Sequence, residues 1–184
     1  KIKNNTASLD EFYRIAEILG LIHAKFVGSM PERNSLEIIR KRLQNAGVSD
    51  SEVSQIVDCL EPAQLSLDGI VRVYNRDAHG RNWGFDEFGN VLILDNEPGR
   101  KVPIVFDDAN LLDQYDFLGY EDRLEICRRH WNSFNENREG EVYSEDRIED
   151  KDRYELAYLN AIIVRALEIY SQVRETRQDI KNAS

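Results

Sequence analysis

The sequence predicts a mainly helical α+β domain carrying one small β-hairpin. Three observations predict it. Apolar residues recur at helical spacing over most of the chain, capping signals open several of those stretches, and one region places short apolar runs around turn residues. The 184 residues suffice for one domain with a single core, and neither an internal repeat nor a linker divides them.

"SLDEFYRIAEILGLIHAKFV" opens with the capping box Ser8/Glu11. Phe12, Ile15, Ile18, Leu19, Ile22 and Phe26 then follow at helical spacing and predict a helix over about 9–27. A second helix runs through "SLEIIRKRLQNAG" and stops at Gly47, a suitable C′ residue. Ser49 and Glu52 repeat the box for a third helix, which Pro62 is expected to close. "LDGIVRVYN" fits either a short helix or an extended lead-in. "NWGF" and "NVLILD" are short strands joined by "DEFGN", whose Asp, Gly and Asn are turn residues. Residues 99–120 read as irregular, with an acidic pair at Asp107 and Asp108. Helix returns over about 121–135, where "RRHW" reads as a small basic, solvated face. The last helix is expected over about 146–180, with Tyr154, Ala157, Tyr158, Ala161, Ile162, Arg165 and Ile169 on its buried stripe.

The formal net charge of −10 repels phosphate backbones and anionic lipid, so nucleic acid and membrane surfaces are not the expected partners. No apolar run approaches the roughly 20 residues of a membrane helix. Cys59 and Cys127 lack metal-ligand spacing, and the sequence leaves open whether they are bonded. The chain opens "KIKNN" without Met, which suggests a truncated or processed product. The sequons at Asn4 and Asn182 permit glycosylation in a secreted protein and leave the compartment open.

"NRDAHGRNWGFDEFGNVLILDNEPG", residues 75–99, carries the chemistry. Each of Asp77, Asn82 and Asp95 taken alone is an ordinary turn or strand-end residue. Together they put a carboxylate, a carboxamide and a second carboxylate at one end of a two-stranded ribbon, because antiparallel strands bring the residues before "WGF" and after "LIL" side by side. Phosphoryl transfer needs such a set. A carboxylate, here Asp77, orients a hydroxyl and takes its proton, while hard oxygen ligands, here Asn82 and Asp95, hold Mg²⁺ or Mn²⁺ against nucleotide phosphates. Arg81 either neutralises charge on the transferred phosphoryl or pairs with Asp77 or Asp86. His79 reads as a loop-anchoring hydrogen-bonder ahead of a base, Trp83 as a packing anchor, and Glu97 as a further ligand or a loop support.

"NRDAHGRNWGF" with "LILDNEPG" resembles the C-terminal lobe of atypical kinases, namely the four-jointed and casein-kinase-like kinases of the secretory pathway. Type II phosphatidylinositol 4-kinases and aminoglycoside phosphotransferases share the D-x-x-x-x-N logic. The resemblance runs from about Leu67 to His130. It implies a kinase-like C-terminal lobe over 1–184, ATP with Mg²⁺ or Mn²⁺ as cofactors, and a hydroxyl-bearing protein, sugar or lipid as acceptor. It matches Asp77 to the catalytic Asp and Asn82 and Asp95 to the metal ligands. A secretory compartment follows if the nearest resemblance holds, and a cytoplasmic one otherwise. Asn75 stands where many kinases have His, and Ala78 where the secretory kinases have Arg. No glycine-rich loop or strand-borne Lys precedes residue 67, so the N-terminal lobe is expected to lie outside this chain. The alternatives are a kinase-fold regulatory or binding module without catalysis and an unrelated helical interaction protein.

Overall fold

A computed structural model describes residues 7–25, 34–68, 70–74, 77–94, 99–112, 115–138 and 151–183. These are mainly helical, with two small antiparallel strand pairs. Contacts divide the chain into two compact units, each assembled from two separate stretches of sequence.

The first unit, Lys1–Glu32 with Val71–Arg147, contains the candidate site. Helix α1, Leu9–Lys25, starts where the capping box puts it: the Ser8 backbone N–H donates to Glu11 Oε2 at 2.7 Å. It buries Phe12, Ile15, Ala16, Leu19, Gly20 and His23. Helix α5, Tyr120–Asn137, packs on it, burying Leu124, Ile126, Cys127, His130 and Phe134. The crossing is set at Gly20, where a Cβ would overlap the His130 carbonyl and crowd Phe134 N and Ser133 Cβ. Gly20→Ala is therefore expected to destabilise by about 1–3 kcal/mol through overpacking, although Ala gains up to about 1 kcal/mol over Gly as a helix former. Denaturant unfolding checks the sign, which helix propensity alone would reverse.

Of "LDGIVRVYN", Leu67 and Asp68 end helix α3 (Asp50–Asp68) and Arg72–Tyr74 are extended, while Gly69 and Asn75 lie outside the described residues. Strand β1, Arg72–Tyr74, pairs with β4, Lys101–Pro103, in the register Arg72↔Pro103, Val73↔Val102, Tyr74↔Lys101. The expected hairpin is formed by β2, Trp83–Phe85, and β3, Val91–Ile93, with Trp83 opposite Ile93. Its turn places Gly89 at φ +81, the left-handed residue that such a short connection requires. Asp86 takes the Asn90 amide and the backbone N–H groups of Phe88 and Asn90. Those bonds, the Asn90 side chain first, hold the Asp86 carboxyl below its usual range. Arg14 of α1 ties the turn down, donating to the Gly89 carbonyl at 2.7 Å.

Residues 99–120 are not irregular throughout. Beyond β4 they form helix α4, Val105–Leu112, every residue of which is buried. Arg123 of α5 closes its end, donating to the Leu112 carbonyl and to those of Tyr115 and Leu118. "RRHW" also departs from a solvated face: Arg128 and Arg129 pair with Glu125, but His130 is wholly buried. Neither cysteine is bonded; Cys59 is exposed and Cys127 buried. Burial, with the Asp108 charge adding to it, pushes the Cys127 thiol well above its usual range.

The second unit, Arg33–Ile70 with Ile148–Ser184, is built from three helices. Helix α2, Ser35–Asn45, is capped by Asn34, which accepts the Glu37 N–H. It ends at Gly47 (φ +74), with Gly47 N–H on the Gln44 carbonyl and Val48 N–H on that of Leu43. Helix α3, Asp50–Asp68, begins at the Ser49/Glu52 box but is not closed by Pro62. Pro62 is exposed, and the buried stripe Val53, Val57, Leu60 resumes at Leu67, so packing on both sides of the proline holds the helix through it. Helix α6, Lys151–Ala183, packs on α2 and α3 through Tyr154, Ala157, Tyr158, Ala161 and Val164. Its expected start at Asp146 lies outside the described residues. Ile169, expected on the buried stripe, is instead exposed, and the inward positions are Glu168 and Ser171. No described helix is long and apolar enough to cross a membrane.

Candidate functional site

Loop 77–82 leads from β1 towards the hairpin, and its backbone conformation is unusual. Asp77 has φ +48, the sole non-glycine residue in the left-handed region among those described. That conformation costs an ordinary side chain about 1–3 kcal/mol, is tolerated best by Asp and Asn, and persists where surrounding structure imposes it. The surroundings here can be named. The Asp77 carbonyl accepts the His79 N–H at 2.7 Å and Asn82 Nδ2 at 2.9 Å, and Asn82 N–H returns to the His79 carbonyl at 2.9 Å. Gly80 passes so close to the Tyr115 hydroxyl that any Cβ would overlap it.

These bonds fix the chemistry each group presents. Asn82 commits its amide nitrogen to the Asp77 carbonyl, so its Oδ1, the atom a hard cation takes, is directed elsewhere. His79 Nδ1 accepts the Arg81 N–H at 3.2 Å, which puts the ring proton on Nε2, 3.4 Å from Asp77 Oδ2. The Asp77 side chain remains 57% exposed, with His79 Nε2 against its Oδ2. His79 thus acts as the loop anchor that the sequence reading favours. Arg81 is exposed and joins the loop through its backbone N–H. Trp83 is a packing anchor, 1% exposed, with Nε1 donating to the Ala78 carbonyl at 3.1 Å.

Asn82 also meets the far strand: its carbonyl accepts the N–H of Leu94, the residue before Asp95, at 2.8 Å. Asp95, Glu97 and Asn75 lie outside the described residues. Among those described, no three His, Cys, Asp or Glu side chains gather as a metal-binding group.

Under the loop lies a polar network that the sequence reading missed. Asp107 Oδ1 is 3.5 Å from the Ala78 N–H, and its Oδ2 is 3.1 Å from His23 Nε2. His23 Nδ1 meets His130 Nε2 at 2.9 Å, and His130 Nδ1 meets Asp108 Oδ1 at 2.7 Å. The side chains of all four are fully buried. Three hydrogen bonds in series along Asp107–His23–His130–Asp108 need three protons, one more than two neutral imidazoles supply. The line joins α1, α5 and α4 and ends on the backbone of the residue next to Asp77. One signal pointed to it: two histidines on the inward stripes of apolar helices and an acidic pair inside "IVFDDANLL" are buried polar groups that require partners.

The assembly presents an exposed carboxylate on a strained loop, a carboxamide oxygen five residues on, and a buried polar network bracing the backbone between them. No protein-family model, curated protein or solved structure matches the chain.

Proposed function

We propose that this chain carries the catalytic floor of an ATP-dependent phosphotransferase acting on a hydroxyl acceptor. The observation that carries the proposal is the positive-φ Asp77, exposed and set by His79, with Asn82 oriented by Asp77's own carbonyl. A general base must face its substrate while its backbone stays fixed, and strain held at an exposed polar residue is a mark of such positions. Asp77 would accept the acceptor's proton. Asn82 Oδ1, with Asp95, would hold Mg²⁺ or Mn²⁺ on the nucleotide, and that ion supplies charge neutralisation at the phosphates. Arg81, exposed beside the loop, would face the same anionic group.

The floor alone offers few contacts to adenine or to the outer phosphates, and no glycine-rich loop or strand-borne Lys is present before residue 67. Binding of Mg-ATP by the 184 residues is therefore expected to be weak, roughly −4 to −6 kcal/mol, or high micromolar to millimolar. Titration calorimetry tests this, with Asp95→Asn and Asn82→Ala each expected to weaken the metal-dependent part. Metal-independent binding, or binding unchanged in both variants, would remove these residues from the site. Metal-dependent binding without any transfer would favour the non-catalytic, regulatory form of the same fold.

A further inference from the structure

Helix α6 has two apolar faces and only one of them is covered. Its inward face, Tyr154 through Val164 to Ser171, lies on α2 and α3. On the opposite side Leu156, Leu159, Ile163, Tyr170, Val173 and Ile180 are between 41% and 65% exposed. Their spacing is three, four, seven, three and seven residues, and Ala166 and Arg177, both exposed, fill the two gaps. The result is an a/d heptad pattern from Leu156 to Ile180, apolar except at Arg177. A 3.5-residue repeat of apolar side chains on an exposed helical face fits another helix in knobs-into-holes packing.

We infer that α6 pairs with α6 of a second copy of this chain, antiparallel and centred near Glu168. Two features of the stripe favour that occupant and that direction. In the antiparallel register Ala166 of one copy faces Tyr170 of the other, small against large, and Arg177 faces Leu159. The same register opposes the helix dipoles. A parallel pair would instead stack Tyr170 on Tyr170, leave Ala166 facing Ala166, and bring Arg177 against Arg177 in the seam. The exposed area also suffices: half-covered side chains of this size present roughly 500–600 Å² per copy, so pairing buries about 1,000–1,200 Å² in total, near the lower bound of stable interfaces.

Sedimentation of the full chain tests the pairing. Twice the single-chain mass is expected at tens of micromolar, falling twofold to the single-chain mass in Ile163→Glu/Val173→Glu. Both sites are exposed, so circular dichroism of that variant should keep the native helix content. Single-chain mass for the unaltered protein at about 100 μM would overturn the inference. Direction is read by disulfide trapping in a Cys59→Ser background, which leaves only the buried Cys127. Leu156→Cys and Ile180→Cys proteins should crosslink when mixed and not when alone. Crosslinking of Leu156→Cys with itself would overturn the antiparallel arrangement.

Discussion

Asp77→Asn should lower transfer of the γ-phosphoryl group from Mg-ATP by about 10²–10⁴-fold while leaving nucleotide affinity unchanged. The variant is well suited to the question because Asn tolerates the left-handed region as Asp does, so φ +48 can be retained. Its amide can still meet His79 Nε2–H through Oδ1, while the carboxylate's charge and basicity are removed. The measurement is phosphate release from Mg-ATP and label transfer to the chain itself, with calorimetry in parallel. An unchanged rate would deny Asp77 the role of base. Equal loss of binding and rate would instead assign it to the nucleotide. Asp77→Gly supplies a control of opposite sign: relief of the strained backbone favours the folded state, so stability should not fall while activity does.

Asp107→Ala is expected to cost about 3–5 kcal/mol of folding stability, the penalty for leaving a buried hydrogen-bonded carboxylate–imidazole network without one member. That is a large share of the 5–15 kcal/mol typical of a whole domain. The substitution takes the acceptor from His23 Nε2, from the Ala78 N–H and from Asn110 Nδ2 together. Chemical denaturation gives the magnitude, and proton NMR of the two imidazoles shows whether the line is broken. A loss below about 1 kcal/mol would mean that the quartet is not held as described. His23→Ala should fall in the same range, and the double variant should lose less than the sum, since both substitutions open one network.

The parts of this molecule legible in the sequence are those whose cause is local. Ser8/Glu11, Ser49/Glu52 and Gly47 mark their helix ends because caps involve residues three to five apart. The β2–β3 hairpin was legible for the same reason, its turn chemistry being contained in "DEFGN". Helix α4 was not, since every one of its residues is buried and a helix without a polar face shows no periodicity. The β1–β4 ladder joins residues about thirty apart with nothing in either run to name the other. Pro62 misled because its local rule was overridden by the core contacts of Leu60 and Leu67 on either side. Within the site, Asp77 and Asn82 were found by spacing, whereas the His23–His130 pair depends on a helix crossing that brings together residues 107 apart.

The interleaving of the two units governs the order in which the chain can become structured. Helices α2 and α3 belong to a body completed only by α6, whose far end is synthesised roughly a hundred residues after α3. At about 5–20 residues per second, the inner faces of Ile39, Leu43, Val53 and Val57 wait on the order of ten seconds for their cover. The first unit can close in the meantime, because the sequences of α1 and α5 both precede α6. Native structure on the ribosome therefore nests: an early helical pair is held open, a complete body forms from the sequence that follows it, and the last helix returns to finish what the second helix began.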